Sequence, residues 1–120
     1  MKQILFIGMN PPRNKIMSHG QSYKRFCKWL ESINCINIVA FTNLHWDPSW
    51  NKKSVDHAFL KAQLGEHTKL VAWGGLVSNH LTKMGLQHFV LPHPSPLNRQ
   101  TNDPDFLQIK LKELKQYMES

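Results

Sequence analysis

The chain is poor in cysteine, in acidic side chains and in long apolar runs, and each shortage closes off a class of protein. Cys27 and Cys35 are the only 2 cysteines among 120 residues. Two thiols cannot build a four-thiolate cluster, and their spacing fits no zinc pattern, so both are expected to be reduced and partly buried. No apolar run approaches the roughly 20 residues that cross a bilayer. A strand pattern begins after the single Lys2, so neither a membrane helix nor a secretory leader is expected. The expected setting is cytoplasmic, near a nucleoid or in the cytoplasm of a host cell. Internal repeats and low-complexity segments are missing as well. With 120 residues at 41% hydrophobic content, one domain with one core is expected over residues 1–120.

What is present is basic. Lys and Arg number 15 against 8 Asp and Glu, a formal charge of +7 that favours a polyanionic partner, with nucleic acid the first candidate. The cations run from Lys2 and Arg13 through Lys24, Arg25 and Lys28 to Arg99 and the lysines of the last helix, without forming a tail. A folded surface, not a polybasic arm, would therefore meet DNA. The histidines do not make a metal set, since His80, His88 and His93 have no carboxylate or thiolate close by in sequence. No metal and no cofactor is expected.

Short β-rich apolar runs near residues 3–8, 37–42, 69–73 and 87–91 alternate with helical patterns, giving the order β-α-β-α-β-α-β-α. The first helix is expected from about Ser22, as its cap, to Ile33, with Phe26, Trp29, Leu30 and Ile33 on one face. A second pattern opens at Ser54 and Asp56 and carries Val55, Ala58, Phe59 and Ala62. A third follows Gly74-Gly75 with Leu76, Val77, His80 and Leu81, and the last holds Phe106, Ile109, Leu111, Leu114 and Met118. Strands alternating with helices imply an α/β fold, here a single-domain α/β/α sandwich around a four-stranded parallel sheet.

In such a sheet ligands bind beyond the carboxyl ends of the strands, and both punctuated loops fall there. Gly8-Met9-Asn10-Pro11-Pro12 follows the first strand, and His93-Pro94-Ser95-Pro96-Leu97-Asn98-Arg99 follows the fourth. Fixed proline φ angles in the second loop are expected to hold it extended without internal hydrogen bonds, leaving its amides to face a ligand and Leu97 to point outward. Plainer roles stand beside these. Asn10 before two prolines suits an ordinary turn, Asn43 suits a strand-end cap, and Trp46 and Trp50 suit a packed loop as well as an aromatic wall for DNA.

Taken in order, these segments resemble the uracil-DNA glycosylase superfamily. Gly8-Met9-Asn10-Pro11-Pro12 is similar to its first motif, which positions the attacking water, in the Asn form of the mismatch-specific branch. His93-Pro94-Ser95-Pro96-Leu97 is similar to the second motif of the uracil-specific branch, and Phe41-Thr42-Asn43-Leu44 ends a strand with an asparagine where the family reads the base. Trp73-Gly74 resembles a further hallmark. The chain is shorter than typical members and mixes branches. Pro12 stands where one branch has a tyrosine that excludes a 5-methyl group and others have glycine, and the two cysteines do not suit the iron–sulfur branches.

The resemblance implies a monofunctional glycosylase acting on uracil or a 5-substituted pyrimidine rotated out of single- or double-stranded DNA, as a monomer. Asn10 would orient the water and His93 would steady the departing base. Met9, Tyr23, Phe41 and Asn43 would surround that base, Tyr23 being the first choice to stack on it, with Phe41 or Trp46 as alternatives. Pro12, Gly74, Ser95, Pro96, Leu97 and Arg99 would meet the DNA, Leu97 filling the gap in the stack. A non-catalytic reader of DNA, of a flipped base or of a nucleotide, and an interaction protein that meets an acidic partner, are the competing classes.

Overall fold

The computed structural model describes residues 3–8, 20–34, 38–44, 69–95 and 97–120. Within them four strands form one parallel sheet: β1 (Gln3–Gly8), β2 (Ile38–Asn43), β3 (Lys69–Trp73) and β4 (Phe89–Leu91), in the spatial order β2-β1-β3-β4. Three helices are described, α1 (Gln21–Ser32), α2 (Gly74–Lys83) and α3 (Pro104–Glu119), with a 3₁₀ turn at Arg99–Asn102 before the last. The fold is α/β, as the alternating pattern implied. The helix expected around Ser54 to Ala62 lies outside the described residues.

Strand periodicity divides the core in two. Ile4 and Phe6 of β1, with Val71 and Trp73 of β3 and Leu91 of β4, point to one face and pack against Phe26 and Trp29 of α1 and Leu111, Leu114 and Met118 of α3. Leu5, Ile7, Leu70 and Ala72 point to the other and meet Val77 and Leu81 of α2. Helices thus cover both faces, which explains why β1 is apolar at consecutive positions instead of alternating with polar residues. Truncating Leu114, which is fully buried, would cost about 2–5 kcal/mol.

Local differences from the sequence expectation have physical reasons. The first helix begins at Gln21 with Gly20 as its cap and no side-chain cap bond, so Ser22 is its second residue and does not cap it. In α3 the buried positions are Leu111, Leu114 and Met118, a spacing that follows one helical face, and Ile109 falls off that face and is 59% exposed. Leu76 likewise sits on the outer side of α2. The start of α3 is set by Asp103, whose side chain accepts from the amides of Asp105 at 3.0 Å and Phe106 at 3.4 Å, with Pro104 in the first turn, where its missing N–H costs nothing.

At the amino ends of the strands the Lys69 ammonium holds the last turn of α3, bonding the carbonyls of Tyr117 and Ser120 and lying 5.0 Å over the Tyr117 ring. Tyr117 in turn donates to Leu70 O at 3.1 Å, and burial raises its pKa. The amino end of the sheet is therefore closed by structural contacts. Among the described residues no helix is long and apolar enough to cross a membrane.

Candidate active site

The carboxyl edge of the sheet is built differently. β1 is paired on one side with β2 and on the other with β3, so the chain reverses its winding at the β1/β3 boundary, where the carboxyl ends leave a crevice. Gly8 is registered with Asn43, and Trp73 with Leu91, so these residues end the four adjacent strands, and the last of them leads into the segment that carries His93. A Cβ on Gly8 would lie 2.7 Å from Asn43 Oδ1, 2.8 Å from Phe41 Cζ and 3.3 Å from Trp73 Cε3. Only a bare Cα admits all three neighbours, and the glycine of the first loop is thereby explained by close approach. Asn43 is buried at 1% exposure beneath the edge.

Aromatic rings floor this edge. Phe41 and Trp73 have centroids 4.6 Å apart, Tyr23 meets Phe41 edge-on at 5.6 Å, and Trp73 meets the His93 ring edge-on at 5.7 Å. Tyr23 has its pKa raised by burial and then by neighbouring Cys27. The Trp73 indole nitrogen is buried without a hydrogen-bond partner among the described residues. Gly74 follows with φ +85°, a left-handed backbone that disfavours any side chain, and a Cβ there would stand 3.4 Å from His93 Cβ. The first residue of α2 is thus shaped by the histidine beside it.

His93 has one fixed and one open ring nitrogen. The Ser95 amide donates to Nδ1 at 3.1 Å. An amide keeps its proton, so Nδ1 must hold a lone pair and the neutral ring carries its hydrogen on Nε2. Nε2 has no hydrogen-bond partner among the described residues. Burial lowers the His93 pKa below its ordinary value, because a charged ring is poorly solvated there. The result is a neutral donor at the carboxyl edge, with a cavity of about 520 Å³ beside it lined by Gly74, Pro92, His93, Asn98, Gln100 and Lys110 among others.

The rest of the loop corrects the expectation of free amides. Leu97 N–H donates to Ser95 Oγ at 3.2 Å, Asn98 N–H to Ser95 O at 3.0 Å, and Gln100 N–H to Asn98 Oδ1 at 3.1 Å. Asn98 Nδ2 reaches back to His93 O at 3.0 Å, and Thr101 Oγ1 donates to Asn98 O at 3.0 Å. Prolines remove donors, and the amides of Ser95, Leu97, Asn98 and Gln100 find acceptors within the segment, so it is wired internally. Among the described residues the Ser95 hydroxyl only accepts, from the Leu97 amide, and its own proton has no acceptor. Leu97 is 90% exposed at the tip, an apolar side chain with no core to enter.

A family model described as the uracil DNA glycosylase superfamily matches residues 1–115. The chain belongs to that superfamily. Its members are DNA glycosylases, hydrolases of DNA repair that include those acting on uracil. No significant match was found among curated proteins or solved structures.

For this glycosylase-superfamily chain the structure brings Tyr23, Phe41, Asn43, Gly74 and His93 to one edge, with Ser95 behind the ring, Leu97 at the tip and Arg99 exposed in the turn that follows. Met9, Asn10, Pro12, Pro96 and Trp46 lie outside the described residues. Among the described residues no group of His, Cys, Asp and Glu could hold a metal ion. Residues that the sequence did not single out are Asn98 and Arg25, which brace the second loop. A usable signal existed for Arg25, since Trp29 follows at i+4 and an aromatic there lets a guanidinium lie flat against it.

Proposed function

We propose that the protein is a monofunctional DNA glycosylase that hydrolyses the N-glycosidic bond of uracil, or of a 5-substituted pyrimidine, after the nucleotide has rotated out of DNA. The observation that carries this reading is the His93 ring, neutral, held at Nδ1 by the Ser95 amide and with no partner at Nε2 among the described residues. As the bond from the sugar to the base breaks, its electron pair goes to the base and positive charge develops on the sugar. Nε2–H would donate to the base oxygen where that negative charge collects, a preorganised contact that is lost when the ring turns freely, or when a proton on Nδ1 faces the Ser95 N–H and drives the ring out of place. Water adds to the sugar carbon and loses its proton, and Asn10 would orient it. Asn43 would bond the base edge, since one amide both donates and accepts. No lysine falls at a motif position to attack the sugar itself, so the strand would be left unbroken.

Leu97 would fill the vacated place in the stack, offsetting an unpairing cost of a few kcal/mol. The Ser95 hydroxyl and Arg99 would hold phosphates on either side. Leu97→Ala is expected to slow action on duplex more than on single strands, with little change in melting temperature because the side chain is exposed. Equal losses on both substrates would remove the wedge from this account.

A non-catalytic reader of a flipped base is favoured by one feature, the amide of Asn10 where a carboxylate would give general-base help worth roughly 10²–10⁴-fold. The deciding experiment uses end-labelled oligonucleotides with one uracil, single-stranded or opposite G or A, incubated with excess protein and then treated with alkali. Abasic sites that disappear with His93→Ala support the enzyme. Binding without any cleavage, across uracil and 5-substituted pyrimidines, supports the reader.

A further inference from the structure

Arg25 projects from α1 toward the second loop, and three of its five N–H donors are engaged there by the protein itself. Nη1 bonds Ser95 O at 3.0 Å, and Nη2 bonds Thr101 O at 2.8 Å and Asn102 Oδ1 at 3.1 Å. The guanidinium carbon lies 5.5 Å from the centre of the Trp29 ring. Among the described residues no carboxylate pairs with this cation, and the ion pair found there joins Lys110 to Glu113. A forked, flat cation that grips carbonyls on both sides of an exposed tip serves as a clamp.

The residue it grips is the hub of the loop. Ser95 orients the His93 ring with its N–H, holds the Leu97 amide with its Oγ, and offers its carbonyl to both Asn98 N–H and Arg25. Thr101 and Asn102 lie on the far side of Leu97, so the two flanks of the tip are tied to one helix. We infer that Arg25 is a positioning residue that fixes the direction of the His93 ring and the presentation of Leu97 by holding the Ser95 carbonyl. Lysine cannot replace it, because a single ammonium on a flexible stem does not span the Ser95 and Thr101 carbonyls in one plane. For its effect on rate the inference rests on the glycosylase reading; for its effect on the ring it does not.

The test compares wild type, Arg25→Gln and Arg25→Lys by nitrogen–proton correlation spectra of the histidine rings and of the Ser95 amide, alongside single-turnover cleavage of uracil-containing DNA and binding across a salt series. In wild type His93 is expected to show the hydrogen on Nε2. In both variants the Ser95 amide shifts, the ring becomes a mixture of tautomers and the single-turnover rate falls about 10- to 100-fold, the scale of loss from slight misplacement of a reacting group. The dependence of binding on salt stays as in wild type, because this guanidinium neutralises no phosphate. Unchanged ring and amide signals in a folded Arg25→Gln protein overturn the inference, as does a wild-type rate in Arg25→Lys or a salt slope reduced by about one. Should Arg25→Gln unfold, Arg25→Lys, whose stem still packs on Trp29, gives the same spectroscopic reading. Should wild type cleave nothing, the glycosylase reading fails and the ring and amide signals alone decide.

Discussion

At the start of β4 the His88 ring sits between Ser78 Oγ, 2.7 Å from Nε2, and Leu86 O, 2.9 Å from Nδ1. Past its other end the His93 ring has Nδ1 engaged by the Ser95 amide at 3.1 Å, and Nε2 is open among the described residues. The carbonyl at His88 Nδ1 can only accept, so that nitrogen carries a hydrogen; the amide at His93 Nδ1 can only donate, so that nitrogen does not. One ring therefore ties α2 to the turn before β4, with both nitrogens consumed. The other is turned so that its hydrogen is left to offer. Two histidines flanking one short strand differ in role because of which backbone group, C=O or N–H, reaches the same ring atom.

Replacing His93 by Gln should separate the two ends most sharply. Loss of one preorganised donor to a developing oxyanion costs roughly 10²- to 10³-fold in turnover. The single-turnover rate on uracil-containing DNA should fall by that order while DNA binding holds within a few-fold. His88→Gln should leave the rate where it was. Equal losses from both would mean that His93 acts through the fold and not at the substrate.

Acid should produce a graded version of the same effect. Because burial lowers the His93 pKa, the ring stays neutral until below its ordinary value of 6.5, and the cleavage rate should hold at neutral pH and then fall about tenfold per pH unit once the ring is protonated. The sign for stability follows from proton binding. Between the lowered folded pKa and the unfolded one, the unfolded chain binds more protons, so the stability contribution present at neutral pH is lost as pH falls through that window. A His93→Gln protein should lack this part of the acid sensitivity in a melting series from pH 7 to pH 5, and an unchanged profile would assign it elsewhere.

Gly74 and Gly75 extend the comparison to backbone. A methyl group at Gly74 must adopt φ +85° and press 3.4 Å against His93 Cβ, whereas at Gly75 it meets nothing within 4 Å. Gly74→Ala should cost about 1–2 kcal/mol, lowering the melting midpoint by several degrees, and should slow cleavage by displacing the ring. Gly75→Ala should do neither. If Gly74→Ala lowered stability alone, the contact with His93 would be incidental to its orientation.

Much of this was legible in the sequence because it depends on pattern. Apolar runs separated by helical periods gave the strands β1 and β3, of 6 and 5 residues. The α/β class followed, and the order of loops and strand ends carried the resemblance that the family match bears out. The exposure of Leu97 was legible too, since two neighbouring prolines leave an apolar residue at a loop tip no route inward. What was not legible depends on partners far apart in the chain. Arg25 and Ser95 are separated by 70 positions, and nothing in either neighbourhood announces the bond. The loop amides were expected to be free because prolines suggest an extended, solvated backbone; their acceptors, Ser95 Oγ and Asn98 Oδ1, come from side chains whose rotamers the sequence does not state. Ser22 failed as a cap because a helix can begin one residue before the best capping side chain when glycine precedes it.

The smallest effect tests the quieter end of β4. Ser78→Ala removes the hydroxyl from His88 Nε2 but leaves the Nδ1 bond to Leu86 O, and both side chains are half-buried, so water can take the vacated position. A loss of about 0.5–1 kcal/mol is expected, the low end for an intramolecular hydrogen bond, read as a small shift in denaturation midpoint. The cleavage rate should not move, because the bonds of this pair run to each other and to Leu86 and not to the second loop. A rate that fell together with the stability would show that the three-residue strand between the histidines transmits strain from one end to the other, and the separation of brace from donor would then hold only at rest.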